Sequence, residues 1–79
     1  MIQLSEQQFQ KELGKRIAAV RKKKGFTQEQ LAEIIDVHRT YIGFIEQGVR
    51  NPTIGNVRKI AEALKVSLRE LFKPFWCYR

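Results

Sequence analysis

The sequence is poor in residues that bind metals or form cross-links: it has one cysteine and one histidine in 79 residues. Cys77 has no partner for an intramolecular disulfide, and one histidine with one cysteine cannot supply the usual ligands of a zinc site. No apolar run exceeds four residues, and the first residues lack the basic and apolar regions of a signal peptide. We therefore expect no metal, no cofactor and no membrane contact, and a reducing, cytoplasmic location. The role of Cys77 stays open.

Catalytic groups are equally scarce. The single histidine, His38, has no acidic pair placed with it, and the chain contains no glycine-rich phosphate loop. Ser5 and Ser67 have no histidine or cysteine near them in the sequence that would activate a nucleophile. The sequence therefore predicts a protein that is not an enzyme and has no small-molecule ligand.

Positive charge is abundant. Fifteen basic residues against eight acidic ones give a net charge of +7, and six of the basic residues lie between Lys15 and Lys24 with no acid among them. Such an excess is typical of proteins that meet polyanions, so double-stranded DNA is the first expected partner. A basic helix face that is merely solvated is the alternative explanation of the cluster.

Helix signals follow one another along the chain, and no strand pattern appears. Ser5 to Gln8, Thr27 to Gln30 and Ser67 to Glu70 each have the spacing of a capping box. Together with apolar residues at helical spacing, they predict five helices. Their expected bounds are about 6–24, from Thr27 to about Ile35, about His38 to Gln47, from Thr53 to Leu64, and a short helix after Ser67 that Pro74 stops or bends. At this length the chain forms one all-α domain over residues 1–79, a compact five-helix bundle.

The second and third helices, joined by about three residues, have the geometry of a helix-turn-helix, in which the second helix can lie in a DNA major groove. Ala32 stands where a small side chain lets the two helices approach, and Leu31, Ile35 and Ile42 are apolar where the unit must bury. Any three-helix core would favour apolar residues at most of these positions, so the pattern alone leaves both interpretations open.

Three segments make the resemblance specific: residues 27–33 (TQEQLAE), 39–42 (RTYI) and 45–53 (IEQGVRNPT). The sequence resembles the phage-repressor (Cro/CI, xenobiotic-response-element) helix-turn-helix family, over about residues 10–73. The opening of the third helix, the loop 50–53 and the small size are most similar to the controller proteins of type II restriction-modification systems. The resemblance implies a lambda-repressor-like DNA-binding domain.

Three positions depart from that family's pattern. Asp36 and Lys65 stand where the family usually has glycine, so both are expected to adopt a left-handed backbone conformation, which asparagine and aspartate tolerate better than lysine. His38 replaces the usual small hydroxyl residue before the third helix and is expected to cap it less well.

Family position and helix geometry together assign a base-reading set on the exposed side of the third helix. Arg39 suits a bidentate contact to guanine, and Thr40 and Phe44 suit thymine methyls, while Gly43 lets the helix approach closely. Phe44 has a rival assignment as a core or dimer residue, and His38 one as a plain helix-start residue or a pH-sensitive contact. The residues expected to contact phosphates are Thr27, Gln28, His38, Tyr41, Gln47 and Asn51.

The resemblance also implies an internal ion pair between Arg21 and Glu46. The fifth helix and tail, residues 67–79, carry more apolar surface than so short a helix hides in its own core. This predicts a two-fold dimer interface, with closure of the monomer core by the tail as the alternative. The interface residues expected are Leu68, Leu71, Phe72, Phe75 and Trp76.

The expected function is that of a dimeric transcriptional regulator at a pseudo-palindromic operator. The controller resemblance further implies regulation of its own gene and of an endonuclease gene, and contact with RNA polymerase through exposed residues such as Glu29 and Glu33. The alternative is a phage-type repressor or an antitoxin-like module that acts mainly through a protein partner.

Overall fold

The computed structural model describes residues 5–76, with side chains described for residues 5–72. Five α-helices follow one another in this part of the chain, which contains no strand. They are α1 (Glu6–Lys23), α2 (Gln28–Ile35), α3 (Arg39–Gln47), α4 (Ile54–Leu64) and α5 (Leu68–Trp76). The predicted all-α five-helix fold is confirmed.

Two of the three predicted capping boxes are complete. The Ser5 and Thr27 hydroxyls accept from the amides of Gln8 and Gln30, and both glutamine side chains accept from the cap amides in return. At α5 only half of the box forms: the Ser67 hydroxyl accepts from the Glu70 amide at 3.1 Å. The Glu70 carboxylate instead pairs with Arg16 on α1, because a cationic partner binds it more strongly than a neutral amide does.

The first four helices end in the same way. A residue with a left-handed backbone lies directly after α2, α3 and α4, and one residue further on after α1. In each case the next, apolar residue donates its amide to the carbonyl five positions earlier. This is the hydrogen bond of the Schellman motif, which satisfies a carbonyl at the helix end. The four donor–acceptor pairs are Phe26–Arg21, Val37–Ala32, Val49–Phe44 and Val66–Ala61.

Two of the left-handed residues are not glycine. Asp36 has φ 62° and Lys65 has φ 58°, as the sequence predicted. Gly25 and Gly48 hold the same position after α1 and α3. A β-carbon in this conformation crowds the following carbonyl at a cost of about 1–2 kcal/mol, so α2 and α4 end in mildly strained turns.

The core is formed by thirteen apolar residues of all five helices, and Ile17, Leu31, Ile42, Ile60 and Leu71 among them have no exposed surface. Helix α1 crosses α3 very closely at Gly14. A β-carbon at Gly14 would lie 2.3 Å from the Ile45 carbonyl oxygen and 2.7 Å from that of Glu46. Glycine is therefore required for this crossing, which fixes the position of α3 on the domain. The role of Gly14 was not predicted from the sequence.

Helix α5 continues through Pro74 to Trp76. Of the two alternatives for Pro74, a stop is wrong, and a bend stays a prediction. Proline has no amide proton, and the Glu70 carbonyl four residues earlier loses its helical donor. Arg16 replaces that donor: its Nε donates to the Glu70 carbonyl at 3.1 Å, and its Nη2 donates to the Glu70 carboxylate at 2.5 Å. One arginine thus both satisfies the helix and fastens it to α1.

Candidate nucleic-acid interface

Helix α3 presents a polar face. Its rotation on the domain is fixed by Ile42 and Ile45, which are 0% and 1% exposed. On the other side Arg39, Thr40 and Phe44 are exposed, and Gly43 between them is half-buried. The structure therefore brings the four predicted base-reading residues onto one side of one helix. Phe44 retains 38% exposure, which argues against its rival assignment to the core.

No internal contact explains the glycine at position 43. A β-carbon placed there would meet the Gln28 side chain at 3.7 Å, which is an ordinary van der Waals distance. The situation is the opposite of that at Gly14, where the neighbouring helix excludes any side chain. Glycine makes a helix less stable than alanine does. Among the described residues, no packing contact at position 43 explains why the helix has a glycine there.

His38 caps α3. Its Nδ1 accepts a hydrogen bond from the Thr40 amide at 3.1 Å, which satisfies one of the amides left without a partner at the start of the helix. Because Nδ1 acts as an acceptor, the proton of the neutral ring lies on Nε2. His38 is exposed, so this nitrogen is available to donate a hydrogen bond.

A buried ion pair links the end of α1 to the end of α3, and a side-chain amide at the start of α2 joins it. Arg21 forms the expected pair with Glu46: its Nε donates to Oε2 at 2.6 Å and its Nη2 to Oε1 at 3.0 Å. The two side chains are 8% and 7% exposed. Arg21 also donates through Nη1 to the Phe26 carbonyl at 2.7 Å. Gln28 Nε2 donates to Glu46 Oε1 at 2.9 Å, so this predicted phosphate ligand is also part of the internal network.

A second cluster lies where α3 faces the start of α4. The Tyr41 hydroxyl accepts from Asn56 Nδ2 at 2.8 Å, and its own proton remains available to a phosphate. The Arg50 guanidinium lies over the Tyr41 ring, 5.6 Å from its centre, at cation–π distance. Asn56 and Arg50 were not predicted, because their contacts depend on the path of the loop between α3 and α4.

The other expected phosphate ligands frame α3. Thr27 caps α2, Gln47 ends α3, and Asn51 lies in the loop after it, and all three are exposed. The structure places these residues around the polar face of α3, and their phosphate contacts stay predictions.

Three lysines at the end of α1 carry positive charge outside the helix-turn-helix. Of the six clustered basic residues, Lys15, Arg16 and Arg21 pair with carboxylates. Lys22, Lys23 and Lys24 are exposed and form no ion pair within the described part of the chain. They stand at the end of α1, immediately before α2 begins, and give this end of the molecule an unneutralised positive charge.

The predicted dimer interface needs one correction. Leu71 has 0% exposure and belongs to the core of its own chain, so it has no surface to offer a partner and its assignment to the interface is wrong. Leu68 is 38% exposed, and Phe72 is half-buried with its ring stacked on Phe9, 6.4 Å between centres. The side chains of Phe75 and Trp76, and all of Cys77, lie outside the described residues.

Within the described residues no group of three histidine, cysteine, aspartate or glutamate side chains is placed to hold a metal ion. A search of the same residues found no helix with the length and apolar character needed to cross a membrane.

The fold and this surface define a helix-turn-helix protein. The helix-turn-helix family model matches residues 17–71, and the chain belongs to this family. The control protein C.BamHI of Bacillus amyloliquefaciens is 42% identical over 59 residues, which are 73% of each chain.

Two solved structures are similar to the chain over most of their length. The restriction-modification controller protein C.AhdI from Aeromonas hydrophila has a TM-score of 0.79 at 39% identity, covering 81% of this chain and 97% of its own. The controller protein C.Esp1396I, solved as a tetramer in complex with its natural 35 base-pair operator, has a TM-score of 0.72 at 38% identity and covers 81% and 84%. The resemblance to controller proteins that the motifs indicated is thus confirmed.

Proposed function

We propose that this chain is a sequence-specific DNA-binding transcriptional regulator that binds a pseudo-palindromic operator as a dimer. The observation that carries the proposal is the polar face of α3, where Gly43 has no internal reason to be glycine. A helix that gives up stability for a bare backbone on its exposed side is suited to close approach to a ligand surface. The major groove admits a helix of this size.

The residues divide into two roles. Arg39, Thr40 and Phe44 read base edges, since their side chains are exposed on the same side of α3. The start of α2 and the cap of α3 hold phosphates, because helix amides and the positive end of the dipole favour an anion there. Lys22 to Lys24 add attraction that depends on salt but not on sequence.

The dimer forms through α5, where the exposed Leu68 and the half-buried Phe72 keep apolar surface. A two-fold axis places the two α3 helices about 34–36 Å apart, one turn of duplex, and so demands an inverted repeat. The tetrameric complex of C.Esp1396I with its operator supports an assembly of this kind.

The similarity to C.BamHI and C.AhdI supports the more specific role of a controller in a restriction-modification system. In that role the protein, located in the cytoplasm, regulates its own gene and the endonuclease gene and has no catalytic activity.

Glu29 and Glu33 are exposed on α2 and contact RNA polymerase when the protein activates transcription. Replacing both by glutamine is expected to abolish activation of a reporter while operator binding persists.

Selection from a random duplex library at about physiological salt tests the function, because non-specific electrostatic binding is strongest at low salt. We expect an inverted repeat with half-sites about one helical turn apart. Arg39→Ala is expected to remove about 1–3 kcal/mol of discrimination at one base pair of each half-site. Arg58→Ala removes the same charge from α4, where Arg58 pairs with Glu62, and is the matched control. A library without enrichment would exclude an operator-reading role.

A further inference from the structure

We propose that Glu46 is a positioning residue for DNA recognition: it holds the side-chain amide of Gln28 in one orientation at the junction of α2 and α3. This inference rests on the proposed function and deepens it. It gives the Arg21–Glu46 ion pair a second role beyond stability, since the carboxylate that pairs with Arg21 also accepts from Gln28.

The chemistry of the two groups fixes the orientation of the amide. An ionised carboxylate can only accept hydrogen bonds, so the nitrogen of the Gln28 amide must face Glu46 and the oxygen must face away. The distances agree: Nε2 lies 2.9 Å from Glu46 Oε1, and Oε1 lies 3.7 Å from the position a β-carbon on Gly43 would take. The amide therefore lies against the bare backbone of the recognition helix.

Glu46 is itself held at both carboxylate oxygens. Both of its oxygens accept from Arg21, at 2.6 and 3.0 Å, and Arg21 is tied to the Phe26 carbonyl at 2.7 Å. The two side chains are only 8% and 7% exposed, and breaking a buried pair leaves an uncompensated charge. The position of the Gln28 amide is thus set by α1, by the segment before α2 and by α3 together.

This arrangement orders Gln28 before DNA arrives. One amide proton is used by Glu46, and the second has no acceptor among the described residues, which leaves it for a phosphate oxygen beside the first amides of α2. Immobilising a flexible side chain on binding weakens an interface. Loss of the Glu46 contact is therefore expected to weaken operator binding roughly two- to tenfold, the scale of one immobilised side chain.

A double-mutant cycle distinguishes positioning from stability. The variants are Glu46→Gln, Gln28→Ala and the two combined, titrated with the selected operator under conditions where circular dichroism shows each to be folded. Glu46→Gln also removes a negative charge from the DNA-facing side, but that effect is the same in both backgrounds and cancels in the cycle. Glu70→Gln, which removes the carboxylate that pairs with Arg16, is the matched control.

We expect Glu46→Gln to weaken binding two- to tenfold more in the parent than in the Gln28→Ala background, and Glu70→Gln not to weaken binding. Equal losses in both backgrounds would overturn the positioning role while leaving the operator function intact. Failure of the unmodified protein to select any operator would instead refute the proposed function.

A measurement on the unmodified protein covers the case in which Glu46→Gln does not fold. The Gln28 side-chain amide should show NMR order parameters close to those of the rigid backbone, whereas the exposed side chain of Gln47 should be mobile. Equal mobility of the two amides would show that Glu46 does not hold Gln28 and would overturn the inference.

Discussion

Gly43→Ala is expected to change folding and DNA binding in opposite directions. The added β-carbon meets the Gln28 amide at 3.7 and 4.0 Å and has no closer neighbour among the described residues, so it creates no internal clash. Alanine is about 0.8–1 kcal/mol more favourable than glycine inside a helix. The unfolding free energy should therefore rise by up to about 1 kcal/mol, which raises the melting temperature by about 4–8 °C in a domain of this size.

The same β-carbon stands between the exposed side chains of α3 and prevents close approach of the helix to base edges. We expect operator binding to weaken by about 1–3 kcal/mol, the scale of one good base contact. Binding to an unrelated duplex should change less, because it depends on phosphate contacts that do not need the same depth in the groove.

Thermal melting followed by circular dichroism and titration of a labelled operator measure the two effects. Gly55→Ala is the control: its β-carbon would meet only Thr53, at 3.9 Å within the described part of the chain, and no DNA contact is predicted there. Gly14→Ala should instead lower stability, because its β-carbon overlaps the carbonyl oxygen of Ile45. Unchanged operator affinity in Gly43→Ala would refute close approach at this residue, and a lower melting temperature would show that the glycine serves packing.

Three further changes test the architecture. Glu46→Ala leaves the buried Arg21 without its partner and should lower the unfolding free energy by up to about 3–5 kcal/mol in urea titrations; a variant that unfolds at the same urea concentration as the parent would contradict the pair. Lys65→Gly relieves the strain of the left-handed backbone and should raise the unfolding free energy by up to about 1 kcal/mol. The melting temperature should rise with it, whereas Lys65→Ala should not raise it. Arg16→Ala should lower stability by about 1–2 kcal/mol, and less in a Pro74→Ala background, where the helix regains its own amide donor; equal losses would show that the arginine does not replace that donor.

Local chemistry made much of the fold predictable from the sequence. The capping boxes at Ser5 and Thr27 join residues three positions apart. The left-handed turns at Asp36 and Lys65 were expected from the family resemblance, because the family usually has glycine at these positions. The box at Ser67 formed only in part because Glu70 has a competing partner 54 residues away. Sequence patterns within one turn carry no information about such a competitor.

Which face of a helix is buried was harder to predict than the helix itself. The apolar residues of α5 were assigned together to a dimer interface, but docking on α1 buries Leu71 completely and leaves Leu68 exposed. For α3, periodicity separated the buried and exposed sides correctly because both of its inward residues are apolar. The bond between Gln28 and Glu46 joins two helices across 18 residues, and neither helix pattern indicates it.

The length of α3 explains why a single protomer is insufficient for an operator reader. Nine residues span roughly 14 Å, about four base pairs at about 3.4 Å each. A four-base site recurs about once in 250 base pairs, far too often against the roughly 10⁶–10⁹ competing sites of a genome. A two-fold pair doubles the sequence read and fixes the spacing of its halves. Since Leu71 is occupied in its own core, the proposed pairing leaves Leu68 and Phe72 as the described apolar residues of α5 that keep exposed surface.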